Sequence, residues 1–186
     1  TIPFFTPLYA KERKIAFIYQ LCREIWFYEF PLPLTAIGYL LEPLFIRLYK
    51  KCRVLTISQS TRQDLMDLGL KEQEIHIIPM GIDFQPLTFA PEKKDRPTIL
   101  YVGRLKKSKR VHHIIKAFSR IKKEVPESRL WIVGEGDEPY KKRLQELVKR
   151  SGLNDVTFWG FTQHEQKLDL MRDAWLVVMT SVKEGW

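Results

Sequence analysis

Apolar and polar positions alternate with a clear rhythm from residue 98 onward. Four apolar runs, Thr98–Val102, Arg129–Val133, Val156–Trp159 and Trp175–Met179, are short enough to be strands. Between them the apolar residues recur every three or four positions. Val111, Ile114, Ile115, Phe118 and Ile121 fall on one helical face, as do Tyr140, Leu144, Leu147 and Val148, and residues 164–173 make a shorter helix. Strands that alternate with amphipathic helices predict βαβ units and a parallel sheet, so the expected fold class is α/β.

The pattern before residue 98 is less regular. Aromatic residues crowd the first fifty positions, at Phe5, Phe17, Tyr19, Trp26, Phe27, Tyr28 and Phe30. We expect most of them in a core; the alternative is a surface where aromatic and basic residues mix at an acceptor or a membrane interface. Pro31 and Pro33 interrupt any helix there. Leu40, Leu41, Leu44, Phe45 and Leu48 predict a helix over about 36–51. Arg53–Ile57 predicts a buried strand, and Ser60 with Gln63 a capping box for a helix that Gly69 ends. Ile75–Ile78 predicts another strand. Residues 82–96 contain Pro86 and Pro91, mixed charge and little periodicity, as a connection would. The expected organisation is therefore one domain over 1–81, a connection over 82–96 and a second domain over 97–186.

The net charge of +9 on 186 residues points to an anionic partner. The charge is concentrated: Arg104 to Lys123 holds nine Lys or Arg and no acid. A nucleic-acid module would account for it, but no aromatic residue interleaves with this run as a base-stacking platform requires, and no nucleic-acid partner is expected. Cys22 and Cys52 lack metal spacing and are expected as intracellular thiols. No apolar run reaches the roughly 18 residues of a membrane span.

Candidate chemistry sits where the strands end. Ligands of open α/β sheets bind at the carboxyl ends of strands. Gly103 closes the first run, Arg104 follows with a planar fork for phosphate oxygens, and Lys109 adds a point charge. Each charge-assisted contact is worth roughly 1.5–3 kcal/mol. Two cations beside a helix N-terminus can hold a diphosphate without a metal. Gly134-Glu135-Gly136 closes the second run, but Asp137 and Glu138 would repel a pyrophosphate, which disfavours a dinucleotide fingerprint. We read it as a close-approach turn. Gly160 closes the third run and Glu184 follows the fourth, placed to bind a sugar hydroxyl. His76, His112, His113 and His164 show no metal spacing.

In order, these blocks resemble the family 4 retaining glycosyltransferases (glycosyl transferases group 1) of the GT-B fold. Val54-Leu55-Thr56-Ile57-Ser58 is similar to the end of their N-terminal domain, and Ile78-Pro79-Met80-Gly81-Ile82-Asp83 to their crossing segment. Ile99–Leu105, Leu130–Gly136 and Val156–Phe161 are similar to three blocks of the donor domain, and Ala174–Gly185 to the start of an E-x7-E element. The resemblance implies two Rossmann-like domains of parallel sheet with helices on both faces, each incomplete here. It implies that Arg104 and Lys109 hold the donor diphosphate, that backbone at Gly160, Phe161 and Thr162 meets the base, and that Glu184 meets the transferred sugar. Gly103 and Gly134 complete the implied donor-binding set.

The implied activity is transfer of a hexose from a nucleoside diphosphate sugar to a glycan or lipid-linked acceptor, with retention and without a metal or other cofactor. The implied setting is glycan biosynthesis in the cytoplasm, with peripheral membrane contact as an extension. Arg110 stands where the family has glycine. A non-catalytic nucleotide-binding or scaffold relative remains the alternative. The chain is expected to be a piece of a longer protein, self-associating and inactive as a transferase when isolated.

Overall fold

Parallel pairing organises all the strands of the computed structural model, which describes residues 5–81 and 96–184. The described residues group into two units: residues up to 81 together with 183 and 184, and residues 96–182.

The first unit runs α1 (Thr6–Tyr9), β1 (Ile15–Phe17), α2 (Trp26–Glu29), α3 (Leu34–Arg47), β2 (Arg53–Thr56), α4 (Gln59–Asp67) and β3 (Ile75–Ile77). Its sheet has the order β1-β2-β3, with Ala16 beside Val54 and Leu55 beside His76. Val54 is central and fully buried, packed with Ile18, Leu21, Ile46, Leu65, Leu70 and Ile75. Helix α3 begins directly behind Pro33 and ends four residues before the expected boundary. Gly38 lets it approach α2, since a Cβ there would meet the Trp26 ring at 2.5 Å.

The cap of α4 differs from expectation. Ser58, not Ser60, is the N-cap: its Oγ accepts the Thr61 N–H at 3.2 Å, while Gln63 donates to Asp67 instead of reaching back. The extended backbone at Ser58 is the geometry an N-cap needs, and Ser60 is already helical. The stop at Gly69 holds. Its φ of +87° suits glycine, and the Leu70 N–H→Leu65 and Gly69 N–H→Met66 hydrogen bonds close a Schellman motif.

The expected aromatic core over the first fifty residues is not what forms. Phe5, Phe17, Tyr19, Phe27 and Phe30 are exposed, as are Leu34, Ile37, Leu40 and Leu44 along α3. The physical reason is that β1 is a three-residue edge strand and α3 turns only Thr35, Gly38, Glu42 and Ile46 inward. Among the described residues, no helix is long and apolar enough to cross a membrane.

The second unit runs β4 (Thr98–Val102), α5 (Val111–Glu124), β5 (Arg129–Val133), α6 (Glu138–Arg150), β6 (Val156–Gly160), α7 (His164–Asp173) and β7 (Leu176–Val177). Every pair in the order β6-β5-β4-β7 is parallel, as the alternation predicts. One face packs Ile99, Tyr101, Leu130 and Ile132 against Ile114, Ile115 and Phe118 of α5 and Tyr140 and Leu144 of α6. The other packs Leu100, Trp131 and Val133 against Leu170 and Ala174. This is the expected α/β unit, a parallel sheet with helices on both faces. The last strand departs from expectation. Only Leu176 and Val177 enter the ladder, and both are exposed, as are Trp175 and Met179, because no described element covers this edge. Glu184 thus follows an exposed strand rather than a buried one. Apart from Arg96, the expected connection over 82–96 lies outside the described residues, as do Gly185 and Trp186.

Candidate functional site

The loop between β4 and α5 is built to hold its shape. Leu105 is 1% exposed and anchors it from below. Tyr101, equally buried, donates its hydroxyl hydrogen to the Arg104 carbonyl at 3.0 Å. Lys107–Lys109 form a 3-10 turn, closed by Lys109 N–H→Lys106 and Arg110 N–H→Lys107 bonds. Arg110 then takes a left-handed conformation, φ +51° and ψ +35°. For a residue with a Cβ this conformation costs about 1–2 kcal/mol. Thr180 holds the strained carbonyls from the end of the β7 segment, donating to Lys109 O at 2.9 Å and Arg110 O at 3.2 Å. The Val182 N–H adds a bond to Ser108 O at 2.9 Å.

Two glycines bring the next loop against this one. Gly134 has φ +124°, and a Cβ on it would lie 2.1 Å from the Gly103 carbonyl oxygen. A Cβ on Gly136 would lie 2.4 Å from the Leu105 carbonyl oxygen. Without those atoms, Leu105 N–H bonds Glu135 O at 3.0 Å and Asp137 N–H bonds Leu105 O at 3.1 Å. The edge continues through Gly103 N–H→Val133 O at 3.0 Å and Gly134 N–H→Gly160 O at 2.7 Å. Gly103, Gly134 and Gly160 therefore form one continuous backbone rim at the carboxyl end of the sheet.

Positive charge collects on this rim. Arg104 and Lys107 are exposed, and Lys106, Lys109 and Arg110 half-buried. Helix α5 starts there without a side-chain cap from its own N-cap residue. The helix dipole places partial positive charge at this end, which favours anions, while the first N–H groups themselves are taken up by the Tyr140 hydroxyl and the Arg110 carbonyl. Tyr140, projecting from α6, lies 3.0 Å from His112 Nδ1 and accepts the His112 N–H at 3.4 Å. Burial pushes the Tyr140 hydroxyl above its usual value, and the backbone N–H groups it accepts pull partly back. The His112 imidazole is held below its usual value, first by burial and then by the charges of His113, Lys116 and Arg110. His112 thus leaves the cationic work to the arginines and lysines. Among the described residues, no group of three or more His, Cys, Asp or Glu is placed to hold a metal ion.

In the second unit Gly103, Gly134 and Gly160 share the backbone rim, Arg104 and Lys109 lie on the loop that follows Gly103, and exposed Phe161 and half-buried Thr162 follow Gly160 directly. Glu184 is not among them: it groups with the first unit and is half-buried. The Gly134–Gly136 turn is a close-approach turn, as expected, and the backbone it approaches is the neighbouring loop. Tyr101, Thr180 and Tyr140 support the site and were not singled out from sequence. Tyr101 reads there only as a strand residue and Tyr140 as a helix-face residue. Thr180, one position past the last apolar run, carried the only usable signal.

Comparison with known proteins shows the family of the chain and the fold it shares. Residues 85–186, more than half of the chain, match the family model for glycosyl transferases group 1. The chain is 31% identical over 153 residues to mannosylfructose-phosphate synthase of Agrobacterium fabrum, covering 72% of this chain and 34% of that protein. It is 29% identical over 149 residues to poly(glycerol-phosphate) alpha-glucosyltransferase of Bacillus subtilis, covering 78% of this chain and 21% of that protein. The chain thus spans about a third or less of these relatives. Anabaena HepE, solved in complex with UDP and glucose, superposes with a TM-score of 0.68 at 19% identity over 94% of this chain and 48% of that one. On the family match, the chain belongs to the glycosyl transferases group 1.

Proposed function

We propose that the full-length protein transfers a hexose from a nucleoside diphosphate sugar to an acceptor, with retention of configuration. The observation that carries this is the cationic rim: Arg104 and Lys109 lie on the loop that leads into α5, which Tyr101, Thr180 and Gly134 hold in place. Breaking the bond between the sugar C1 and the diphosphate leaves negative charge on the departing oxygen. Cations fixed in advance beside the positive end of the α5 dipole stabilise that charge without reorganising. Arg104 supplies a two-pronged contact and Lys109 a point charge, so no metal ion is needed for this task. Backbone at Gly160, Phe161 and Thr162 meets the base, and Glu184 accepts a hydrogen bond from a hydroxyl of the transferred sugar. Gly103 and Gly134 supply backbone of the rim that the diphosphate meets, packed against each other so closely that neither tolerates a side chain.

In this scheme residues 97–186 belong to the donor-binding domain, 1–81 to the acceptor-side domain and 82–96 to the connection. The similarity to an alpha-glucosyltransferase and to a mannosylfructose-phosphate synthase supports a hexose donor. The acceptor is a glycan or a lipid-linked glycan met from the cytoplasm. Exposed Leu8, Tyr9 and Phe17 near Lys11, Arg13 and Lys14 support peripheral contact with a membrane. The test is a transfer assay of the full-length protein with nucleotide-sugar and glycan panels, the product anomer being read by NMR. A product that keeps the donor's anomeric configuration supports the proposal. An inverted product, or no transfer with any donor, refutes it.

A further inference from the structure

We infer that the first unit carries a phosphate-binding site at the amino edge of its sheet, formed by Arg13, Lys14, Lys51 and Arg53. The three strands are parallel, so the residues that lead into them gather on one edge. Arg13 and Lys14 directly precede β1, Lys51 and Arg53 lie at the start of β2, and Glu74 directly precedes β3. The register sets Ile15 beside Arg53 and Val54 beside Ile75, which brings the five charged residues to one place. With Ile15 they line a cavity of about 290 Å³. One water takes up roughly 30 Å³ in the liquid, so a group with several oxygens fits. The donor site proposed above belongs to the second unit and leaves this cavity without a role.

The charges that line the cavity are uncompensated. Arg13, Lys51 and Arg53 are exposed and Lys14 is half-buried. Among the described residues, none of the four makes an ion pair. Lys14 has a neutral partner: it donates to the Glu12 carbonyl at 2.9 Å, which leaves its other ammonium hydrogens for a ligand. Glu74, half-buried in the same lining, pairs with none of the four. Four cations against one carboxylate leave a formal charge of +3. Like charges gathered in this way repel one another, and an anion placed among them turns that repulsion into attraction.

The lining also identifies the anion. Arg13 and Arg53 each present a planar fork that meets phosphate oxygens in pairs, and Lys14 and Lys51 add point charges. A monocarboxylate would offset a single charge, whereas one phosphomonoester brings about two. The phosphate is a free anion or the headgroup of an acidic lipid, for which the 66% exposed Ile15 in the wall offers an apolar contact. The site is independent of the transferase reading.

The test uses the full-length protein carrying Arg104→Ala, so that the proposed donor site does not compete. Calorimetric titration with pyrophosphate reads the free anion. Co-sedimentation with phosphatidylcholine vesicles, with and without phosphatidylglycerol, reads the headgroup. Arg13→Gln and Arg53→Gln are then added together. Both side chains are exposed, so folding should hold, which urea unfolding checks. Lys51→Glu, on the turn before β2, is a second probe of the same site. The expected result is binding of pyrophosphate, or of the vesicles only when they contain phosphatidylglycerol. Adding the two glutamines weakens it about tenfold or more, the scale of a lost charged hydrogen bond, and Lys51→Glu weakens it too. The probe that binds names the source of the phosphate. Absence of binding to both probes, or binding that survives the glutamines and Lys51→Glu unchanged, overturns the inference. A failure of the transferase proposal shows up separately, as wild-type protein that binds no nucleotide sugar.

Discussion

Replacing Gly134 by alanine probes the contact on which the whole rim depends. The new Cβ would lie 2.1 Å from the Gly103 carbonyl oxygen, and the obstructing atom is backbone, so no side-chain rotation relieves the clash. The φ of +124° adds strain of about 1–3 kcal/mol for a residue with a Cβ. Forcing the two loops apart costs roughly another 1–3 kcal/mol, the scale of an overpacked core. The expected loss is therefore about 2–6 kcal/mol, against a total stability of about 5–15 kcal/mol for a typical protein. Native-state hydrogen exchange of the β5 amides, Leu130–Val133, measures this loss where it acts. A loss of about 3 kcal/mol lowers their protection roughly a hundredfold. Nucleotide affinity should fall as well, since Gly103 and Arg104 move with the loop. A loss below about 1 kcal/mol with unchanged affinity would show that the loops separate freely and that the rim is not one rigid piece.

Glu42→Ala should strand three N–H donors that now meet one buried carboxylate, with a loss of about 3–5 kcal/mol in urea unfolding; a loss under about 1 kcal/mol would mean that water replaces the carboxylate. Asp155 accepts from Lys122 at 2.6 Å and Arg96 at 2.7 Å, and these hydrogen bonds, Lys122 first, hold its carboxyl below the usual range. Its stabilising effect is present above the unfolded-state pKa, about 3.9, and is lost as pH falls through the lower folded value. Asp155→Asn should therefore be less stable than wild type at pH 7, with the gap closing below about pH 4; a gap that is constant with pH would contradict the assignment.

The second unit was more legible in sequence than the first. Its strands and helices repeat at a fixed rhythm, so Ile114, Ile115, Phe118 and Leu144 announced the core they form. Arg104 and Lys109 stood out because a glycine and an apolar run preceded them. The left-handed backbone at Arg110 was hidden, since arginine carries no local signal for it; tertiary bonds from Thr180 hold it there. In the first unit, aromatic content suggested a core, but composition does not say which face of α3 turns inward. Small and polar positions, Thr35, Gly38 and Glu42, mark that face. Glu42 and Arg23 were illegible for a related reason. A buried carboxylate and an arginine strained to φ +40° look like ordinary surface charges until their partners, sixteen to twenty residues away, are in place.

Calorimetric titration of nucleoside diphosphates and their sugars into the full-length protein, with and without EDTA, most directly tests whether the β4–α5 rim is a metal-independent diphosphate site. Arg104→Ala and Lys109→Ala should each weaken binding by about 1.5–3 kcal/mol, and EDTA should leave the wild-type affinity unchanged. Wild-type affinity in both variants, or binding that requires a divalent ion, would contradict it.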